Sequence, residues 1–438
     1  MRIVPKVEAE CEDAATTDDA DPQEGVSRAS VADRIEELTL SNGIRVALYH
    51  DATLPSVNLS ATWACGLLSE TEASNGVNGL IASLLTQGAG PLNSQEFSQR
   101  KEDLGISIAA SSGNNSSSIC LRTLNDAWDE SLELLGYVFE SPHFDADALE
   151  RERATKLAQW EQMQLDPISM AFAEVRERLF IGTPYHLNAL GSETSLKALT
   201  REDLQAHFET QFLQGVPYVA VSGDFDRKTI VEDLERLFKN FSYEGLQARA
   251  VQPTPESGSY ELSLPKEQAV LVQAYESFGV GAEQVFVLEL LQEYLGDMAG
   301  PLFGKIREEL GLVYYVNVSQ FQGLGTGLFA FYLGTSEEQL PLAKEALTGE
   351  IQTLCDTLVA DDVLDQIKAG WLSNFALGAQ SNEAIANSCA LAMALGRDVR
   401  ETYQKADKIQ AVTAEDIREV CRELFARDAV AVTVLPES

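Results

Sequence analysis

An internal repeat relates the two halves of this 438-residue chain. Four short segments of the first half return in the same order, at similar offsets, in the second half: residues 37–40 as 261–264, 101–106 as 307–312, 144–149 as 359–364, and 198–204 as 411–417. One such match alone is weak evidence. Four in the same order indicate a duplicated domain of roughly 200 residues.

The length supports the same division, because a single hydrophobic core seldom accommodates a chain of this size. Residues 7–30 contain almost no large apolar side chain, so they cannot bury enough surface to offset the entropy of ordering. The stretch before the second half is polar and carries Gly and Pro. We therefore predict a disordered acidic tail at 1–34, a first domain at 35–241, a linker at 242–259 and a second domain at 260–438.

Each predicted domain combines strands with long amphipathic helices. Asn42-Gly43 between two alternating segments is typical of a β-hairpin, and residues 218–222 and 429–434 are short strand-like runs. Residues 148–163 and 360–377 have helical periodicity. The pattern predicts an α+β fold of two tandem homologous domains, each a mainly antiparallel sheet with helices packed on one face.

The composition excludes several classes of function. The chain has 32 basic and 68 acidic side chains, a net charge of −36, which disfavours binding to nucleic acid or anionic lipid. No apolar run approaches the length of a membrane span. The amino terminus lacks an apolar leader, so we expect a cytoplasmic protein, or a periplasmic or organellar one whose signal lies outside this sequence. The acidic surface either attracts basic polypeptides or serves solubility alone.

Residues 76–88 form an apolar segment bounded by Gly76 and Gly88. By itself such a segment is ordinary core helix. An H-x-x-E-H helix has the same outline, and there two histidines on one helical face bind zinc while the glutamate activates water. In this chain the corresponding positions hold Gly79, Ala82 and Ser83, which neither bind zinc nor transfer protons well.

From about residue 37 to its end, the order of these features resembles the pitrilysin or insulinase-like metallopeptidases. The similarity is to the short, two-domain type that includes mitochondrial processing peptidase. In that family the glycine-bounded helix carries the zinc ligands, and a later helix before a D-P or D-x-P turn supplies a glutamate ligand. Here that position falls at Ala158 or Gln159, with Glu161 nearby, before Asp166-Pro167. The resemblance thus implies a member without zinc ligands.

The resemblance continues through residues 182–186 and Gly191, which look like the family's glycine, H-P-Y and glycine segment. It then implies a substrate-binding role for Arg307 and Tyr314, because the second half of active members supplies an arginine and a tyrosine seven residues later. Residues 301–310 are predicted to form a helix ended by Gly311, and residues 312–318 a strand. Alternatively, Arg307 is a solvated charge and Tyr314 packs in the sheet.

Other candidate sites are weaker. The four histidines show no ligand spacing, and the glycine-rich residues 323–327 lack the lysine of a P-loop, which favours a hairpin or bulge. We therefore expect no metal and no catalytic group in this chain alone.

The leading hypothesis is a peptide-binding subunit of a heterodimeric zinc metallopeptidase. Its homologous partner would carry H-x-x-E-H and the zinc, and the substrate would be a peptide or unfolded polypeptide. The alternative is a non-enzymatic homodimeric peptide-binding or scaffold protein of the same fold.

Overall fold

The computed structural model describes residues 28–241, 249–378 and 381–437. Its strands form two sheets, one in each half of the chain. The strands of the first half are β1 (Ile35–Thr39), β2 (Arg45–His50), β3 (Ser56–Trp63), β4 (Ser107–Ser112), β5 (Ser117–Leu124) and β6 (Pro217–Gly223). Those of the second half are β7 (Gly258–Leu264), β8 (Ala269–Ser277), β9 (Tyr315–Gln322), β10 (Gly327–Thr335) and β11 (Val430–Pro436).

The helices of the first half are α1 (Arg28–Arg34), α2 (Val77–Leu84), α3 (Ser94–Leu104), α4 (Trp128–Glu140), α5 (Ala146–Gln164), α6 (Pro167–Leu179), α7 (Glu193–Ala198), α8 (Arg201–Phe208) and α9 (Arg227–Leu237). Those of the second half are α10 (Gln284–Gly296), α11 (Leu340–Asp356), α12 (Asp361–Gly378), α13 (Asn382–Ala394), α14 (Glu401–Ala411) and α15 (Ala414–Phe425). Two π-helical segments, Glu209–Leu213 and Leu302–Glu309, lie before β6 and β9.

The two sheets share a five-strand topology, to which the first sheet adds β1 at its edge. The first has the strand order β1-β2-β6-β3-β5-β4 and the second β7-β11-β8-β10-β9. Only the β2–β6 and β7–β11 pairs of these sheets are parallel, and they occupy matching places. The predicted α+β class with mainly antiparallel sheets is confirmed, and the duplication predicted from the repeat is confirmed with it.

Three of the four repeated segments fall at equivalent places. Residues 101–106 and 307–312 each end a helix before the edge strand, and each contains a glycine in the left-handed region, Gly105 at φ 65° and Gly311 at φ 62°. Glycine suits these positions because it has no Cβ to clash there. Thr200 and Thr413 each begin a capping box, at α8 and α15, just before the last strand of their half.

The fourth pairing, 37–40 with 261–264, was wrong. Residues 37–39 lie in β1, an outer strand antiparallel to β2, whereas 261–264 lie in β7, which is parallel to β11 and matches β2. Alternating apolar and polar residues specify a half-exposed strand, and they leave its neighbour in the sheet undetermined.

Each sheet is covered on one face by helices of its own half and on the other by a helix from the opposite half. Helix α13 packs across β2, β3 and β6, where Ala386 and Ala390 are buried beside Ala47 and Ala220. Helix α6 packs across β8 and β11 in the same way. Because α6 follows α5 as α13 follows α12, the exchange is reciprocal. The prediction of helices on one face therefore described only half of the coverage.

The predicted tail and linker lie partly outside the described residues, namely at 1–27 and 242–248. The last seven residues of the predicted tail form α1, which packs against α14 and buries Ala32, so disorder is wrong for that part. Residues 249–257 form no helix or strand. The domain boundaries themselves stay predictions. No helix in the described ranges combines the length and apolar character needed to cross a membrane.

The exchange predicts that a first-half side chain stabilises the second sheet. Leu179 of α6 is fully buried among side chains of β8 and β11. Leu179→Ala should lower the free energy of unfolding by about 2–5 kcal/mol, the usual cost of such a cavity. Leu342→Ala on α11 is the control, because that side chain is 55% exposed. Urea denaturation checks this, and equal losses for the two variants would contradict the packing.

Candidate functional site

Helix α2 contains the positions at which the family carries its zinc motif, and a tight glycine contact begins it. Gly76 precedes α2 in the left-handed region at φ 94°. A Cβ atom on Gly76 would stand 3.0 Å from the Cα atom of Gly191. The structure thus brings together two glycines that the sequence resemblance had identified separately, and neither position leaves room for a side chain.

A buried carboxylate caps α2. Glu70 Oε2 accepts hydrogen bonds from the Gly76 backbone N–H at 2.8 Å and from Asn75 Nδ2 at 3.0 Å, and Oε1 accepts from the Asn78 N–H at 3.1 Å. A negative group suits a helix amino terminus because it binds the unpaired N–H groups and complements the helix dipole. Burial nevertheless raises the pKa of Glu70. Sequence reasoning missed this residue, which lies outside the motif.

A neutral histidine completes the support of α2. Asn78 is fully buried, and its Nδ2 donates to the Gly66 carbonyl at 2.8 Å. Its Oδ1 lies 3.1 Å from His207 Nε2. Burial lowers the pKa of His207 to about 4, so the ring is uncharged at neutral pH.

The outward side of α2 carries no ligand. Ser83 Oγ donates to the Gly79 carbonyl at 3.1 Å, which satisfies its hydroxyl within the helix, and Ala82 has no polar atom beyond its backbone. Lys156 of α5 occupies the space above them, with its Nζ 2.9 Å from the point at which a Cβ atom of Gly79 would stand. Burial lowers the pKa of Lys156, which is partly offset by Glu152 and Glu70.

The structure corrects the expected position of the third ligand. Ala158, Gln159 and Glu161 are all exposed on α5. Helix α5 instead presents Lys156 to α2 and Glu152 to Gln87 just beyond it, with Gln87 Nε2 donating to Glu152 Oε1 at 2.8 Å. The sequence distance from Asp166-Pro167 locates the helix but not its inward face, because the side-chain direction turns by about 100° from one residue to the next.

These residues do not fit zinc. In the described part of the chain, no three His, Cys, Asp or Glu side chains form a group that could hold a metal ion. Catalytic zinc sites use three protein ligands and an open position. Here the site region contains a backbone-bonded serine and a desolvated ammonium group, which repels a divalent cation.

Arg307 and Tyr314 lie on either side of one turn in the second half. Arg307 is exposed on the π-helical segment Leu302–Glu309, with its guanidinium carbon 4.6 Å from the Phe303 ring centroid. Strand β9 begins only at Tyr315, so Tyr314 precedes the sheet and is 51% exposed. Its backbone N–H donates to the Gly334 carbonyl at 2.8 Å. The alternative in which Tyr314 packs in the sheet is wrong, while substrate contact stays a prediction.

A family model described as insulinase, peptidase family M16, matches residues 45–193, and one described as the peptidase M16 inactive domain matches residues 198–370. The chain belongs to the M16 peptidase family. The resemblance predicted from the sequence is confirmed, and this M16 chain departs from the H-x-x-E-H pattern at Gly79, Ala82 and Ser83.

Three relatives are similar to this M16 chain over most of its length or over nearly two thirds of it. It is 20% identical to the Bacillus subtilis "uncharacterized zinc protease YmxG", over 92% of this chain and 98% of the relative. It is 23% identical to the mitochondrial-processing peptidase subunit beta of Dictyostelium discoideum, over 91% and 87%. It is 27% identical to the Helicobacter pylori "non-peptidase homolog YmxG", over 62% and 64%. The family therefore includes proteins named as peptidases and one named as a non-peptidase.

The fold comparison agrees. A crystal structure of a peptidase M16 inactive domain from Pseudomonas fluorescens superposes with a TM-score of 0.83 and 21% identity, and covers 92% of this chain and 98% of that one. At this identity the similarity establishes the fold alone.

The low pKa of His207 predicts a pH-dependent stability. The folded pKa of about 4 lies below the ordinary 6.5, so the unfolded chain binds the proton more readily. The contribution of His207 to the free energy of unfolding should be fully present above pH 6.5. It should fall as the pH drops towards 4, by about 3 kcal/mol in total. His207→Gln should remove that part of the dependence. Denaturation at several pH values tests this, and parallel curves for the two proteins would contradict it.

The position of Lys156 predicts how zinc binding could be restored. The wild-type chain, and a variant carrying Gly79→His, Ala82→Glu and Ser83→His, should retain substoichiometric zinc after dialysis, because the ammonium group remains. Adding Lys156→Glu removes that charge and supplies a carboxylate, and should tighten zinc binding by about tenfold or more. Elemental analysis measures the metal. Lys156→Met in the same background separates the lost charge from the added ligand, and a full zinc equivalent in the wild type would refute the assignment.

Proposed function

We propose that this M16 chain is the non-catalytic, peptide-binding subunit of a two-chain zinc peptidase. The observation that carries the proposal is that α2 keeps its supporting contacts but has no zinc ligands. Its glycine contact, carboxylate cap and buried Asn78 are intact, while the ligand positions are Gly79, Ala82 and Ser83 beneath Lys156. A helix kept in place without its chemistry is consistent with a fold retained for binding.

The relatives support a partner chain. One is named as a subunit of the mitochondrial-processing peptidase, and another as a zinc protease. In our proposal the partner is a homologous chain with an intact H-x-x-E-H helix, and it holds the zinc. The net charge of −36 favours unfolded peptides with basic residues, because the field of the protein attracts them.

Arg307 and Tyr314 are the groups we propose to contact the peptide. Both are exposed and lie on one turn, so their polar atoms are accessible to a second molecule. The guanidinium can donate to peptide carbonyls, and the phenol can donate to the oxyanion that develops during peptide hydrolysis. Proton transfer and water activation stay with the partner.

Reconstitution tests this role. The isolated chain should not cleave peptides, and mixing with the H-x-x-E-H chain that co-purifies with it should yield cleavage. Arg307→Ala should lower kcat/KM by about tenfold, and Tyr314→Phe by about ten- to a hundredfold, since each removes a hydrogen-bond donor used in the reaction. Arg100→Ala and Tyr137→Phe are matched first-half controls and should leave the rate unchanged.

Two outcomes would overturn the proposal. Full activity in both the Arg307 and Tyr314 variants would remove their assigned roles. Recovery of only a second copy of this chain from the native cell would favour the homodimeric binding or scaffold protein instead.

A further inference from the structure

A pocket of about 580 Å³ lies beside α2 in the first half. It is formed by α5, α6, the turn between β4 and β5, and residues 186–192, and its apolar lining includes Trp160, Met163 and Phe172. Trp160 is one helical turn beyond Lys156 on α5, so the pocket adjoins the altered motif. Its size and mixed lining are typical of a small-ligand site.

Among the described residues that line this pocket, Arg176 of α6 is the only arginine or lysine. Its guanidinium carbon lies 5.5 Å from the Phe180 ring centroid and 5.0 Å from that of Phe321, which belongs to the second half. Its Nη2 donates to Asn114 Oδ1 at 3.1 Å. Burial lowers the pKa of Arg176 to about 10, which still leaves it charged at neutral pH.

Arg176 has no anionic partner among the described residues, since no carboxylate oxygen there lies within 4.0 Å of it. The next arginine on the helix is different: Arg178 pairs with Glu174 and Glu256, each at 2.8 Å. The chain has 68 acidic side chains, so the lack of a carboxylate beside Arg176 does not reflect a shortage of acidic residues. Arg176 is half-buried. A partly desolvated charge without a counterion is costly, and the cation–π contacts offset only part of that cost.

We infer that this pocket binds the carboxyl terminus of a peptide whose last residue is apolar, with Arg176 pairing with the carboxylate and Trp160 and Phe172 contacting the side chain. A guanidinium matches a planar carboxylate. Asn114 offers a further donor, because no described residue accepts from its Nδ2. Glu72 and Glu177 on the exposed rim repel a phosphate dianion more strongly than a carboxylate monoanion, which favours the carboxylate. The inference deepens the proposed function, on which it rests for the peptide.

The test compares two probes that differ only in the C-terminal group. N-acetyl-Ala-Ala-Phe with a free carboxylate, and the same tripeptide as its amide, are titrated into the full chain and followed by calorimetry and tryptophan fluorescence. The acid should bind about tenfold or more tightly than the amide, because the charged hydrogen bond is lost in the amide. Arg176→Met should abolish the difference. Arg178→Met, two residues away on the same helix, should keep it.

A second variant guards against misfolding. Arg176→Lys retains the charge and should keep part of the preference for the acid, while thermal unfolding of each variant confirms that it is folded. The inference would be overturned if the wild type bound the acid and the amide equally or bound neither. It would also be overturned if inorganic phosphate displaced the acid as effectively as unlabelled acid does. Such a result leaves the proposed subunit role intact, because partner-dependent cleavage and the Arg307 and Tyr314 variants test that separately.

Discussion

Burial of both faces of two sheets by one duplicated chain is the constraint on which the structure depends. A sheet with two apolar faces needs cover on each, and each half provides only one layer of its own. Helix α6 covers the second sheet and α13 covers the first, so each half completes the core of the other. The two halves therefore form one packed unit, although each has the topology of a complete domain.

The exchange also determines where ligand chemistry can occur. Helix α6 carries Arg176 on its way across the second sheet, and Phe321 of β9 meets that guanidinium from the other half. Tyr185 lies nearby, with its hydroxyl donating to Asn115 Oδ1 at 2.6 Å and accepting from the Leu324 N–H at 2.8 Å. The pocket beside α2 thus depends on contacts between halves that are far apart in sequence.

Helix α2 shows how a metal-site scaffold persists without metal ligands. In place of ligands on its outward face, the helix relies on contacts at its amino terminus: Glu70 binds the first N–H groups, and Asn78 ties the helix to Gly66 and His207. Lys156 supplies a positive charge close to where the family carries a metal. The frame and the chemistry are therefore separable, and only the frame remains in this chain.

Local features were predictable because their physics is local. Gly105 and Gly311 end helices because glycine tolerates a positive φ. The glycine-rich residues 323–327 form the β9–β10 hairpin connection and the first residue of β10, as their glycines indicated. The inward face of α5 was not predictable from its distance to Asp166-Pro167. An alignment error of one residue turns the expected side-chain direction by about 100° around the helix axis. The side-chain exposure of Tyr314 was not predictable either, since the predicted strand includes residue 314 whereas β9 begins at Tyr315.

The sequence by itself determined the duplication, the α+β class, the glycine frame of α2 and the loss of its zinc ligands, because each depends on residue type or short-range pattern. Only the tertiary structure decided that Lys156 lies above Gly79 and that Arg176 is half-buried with no carboxylate of the described residues beside it. It also decided that α6 and α13 each pack on the sheet of the other half. These depend on contacts between residues tens to hundreds of positions apart. Neither composition nor periodicity specifies which distant surfaces meet.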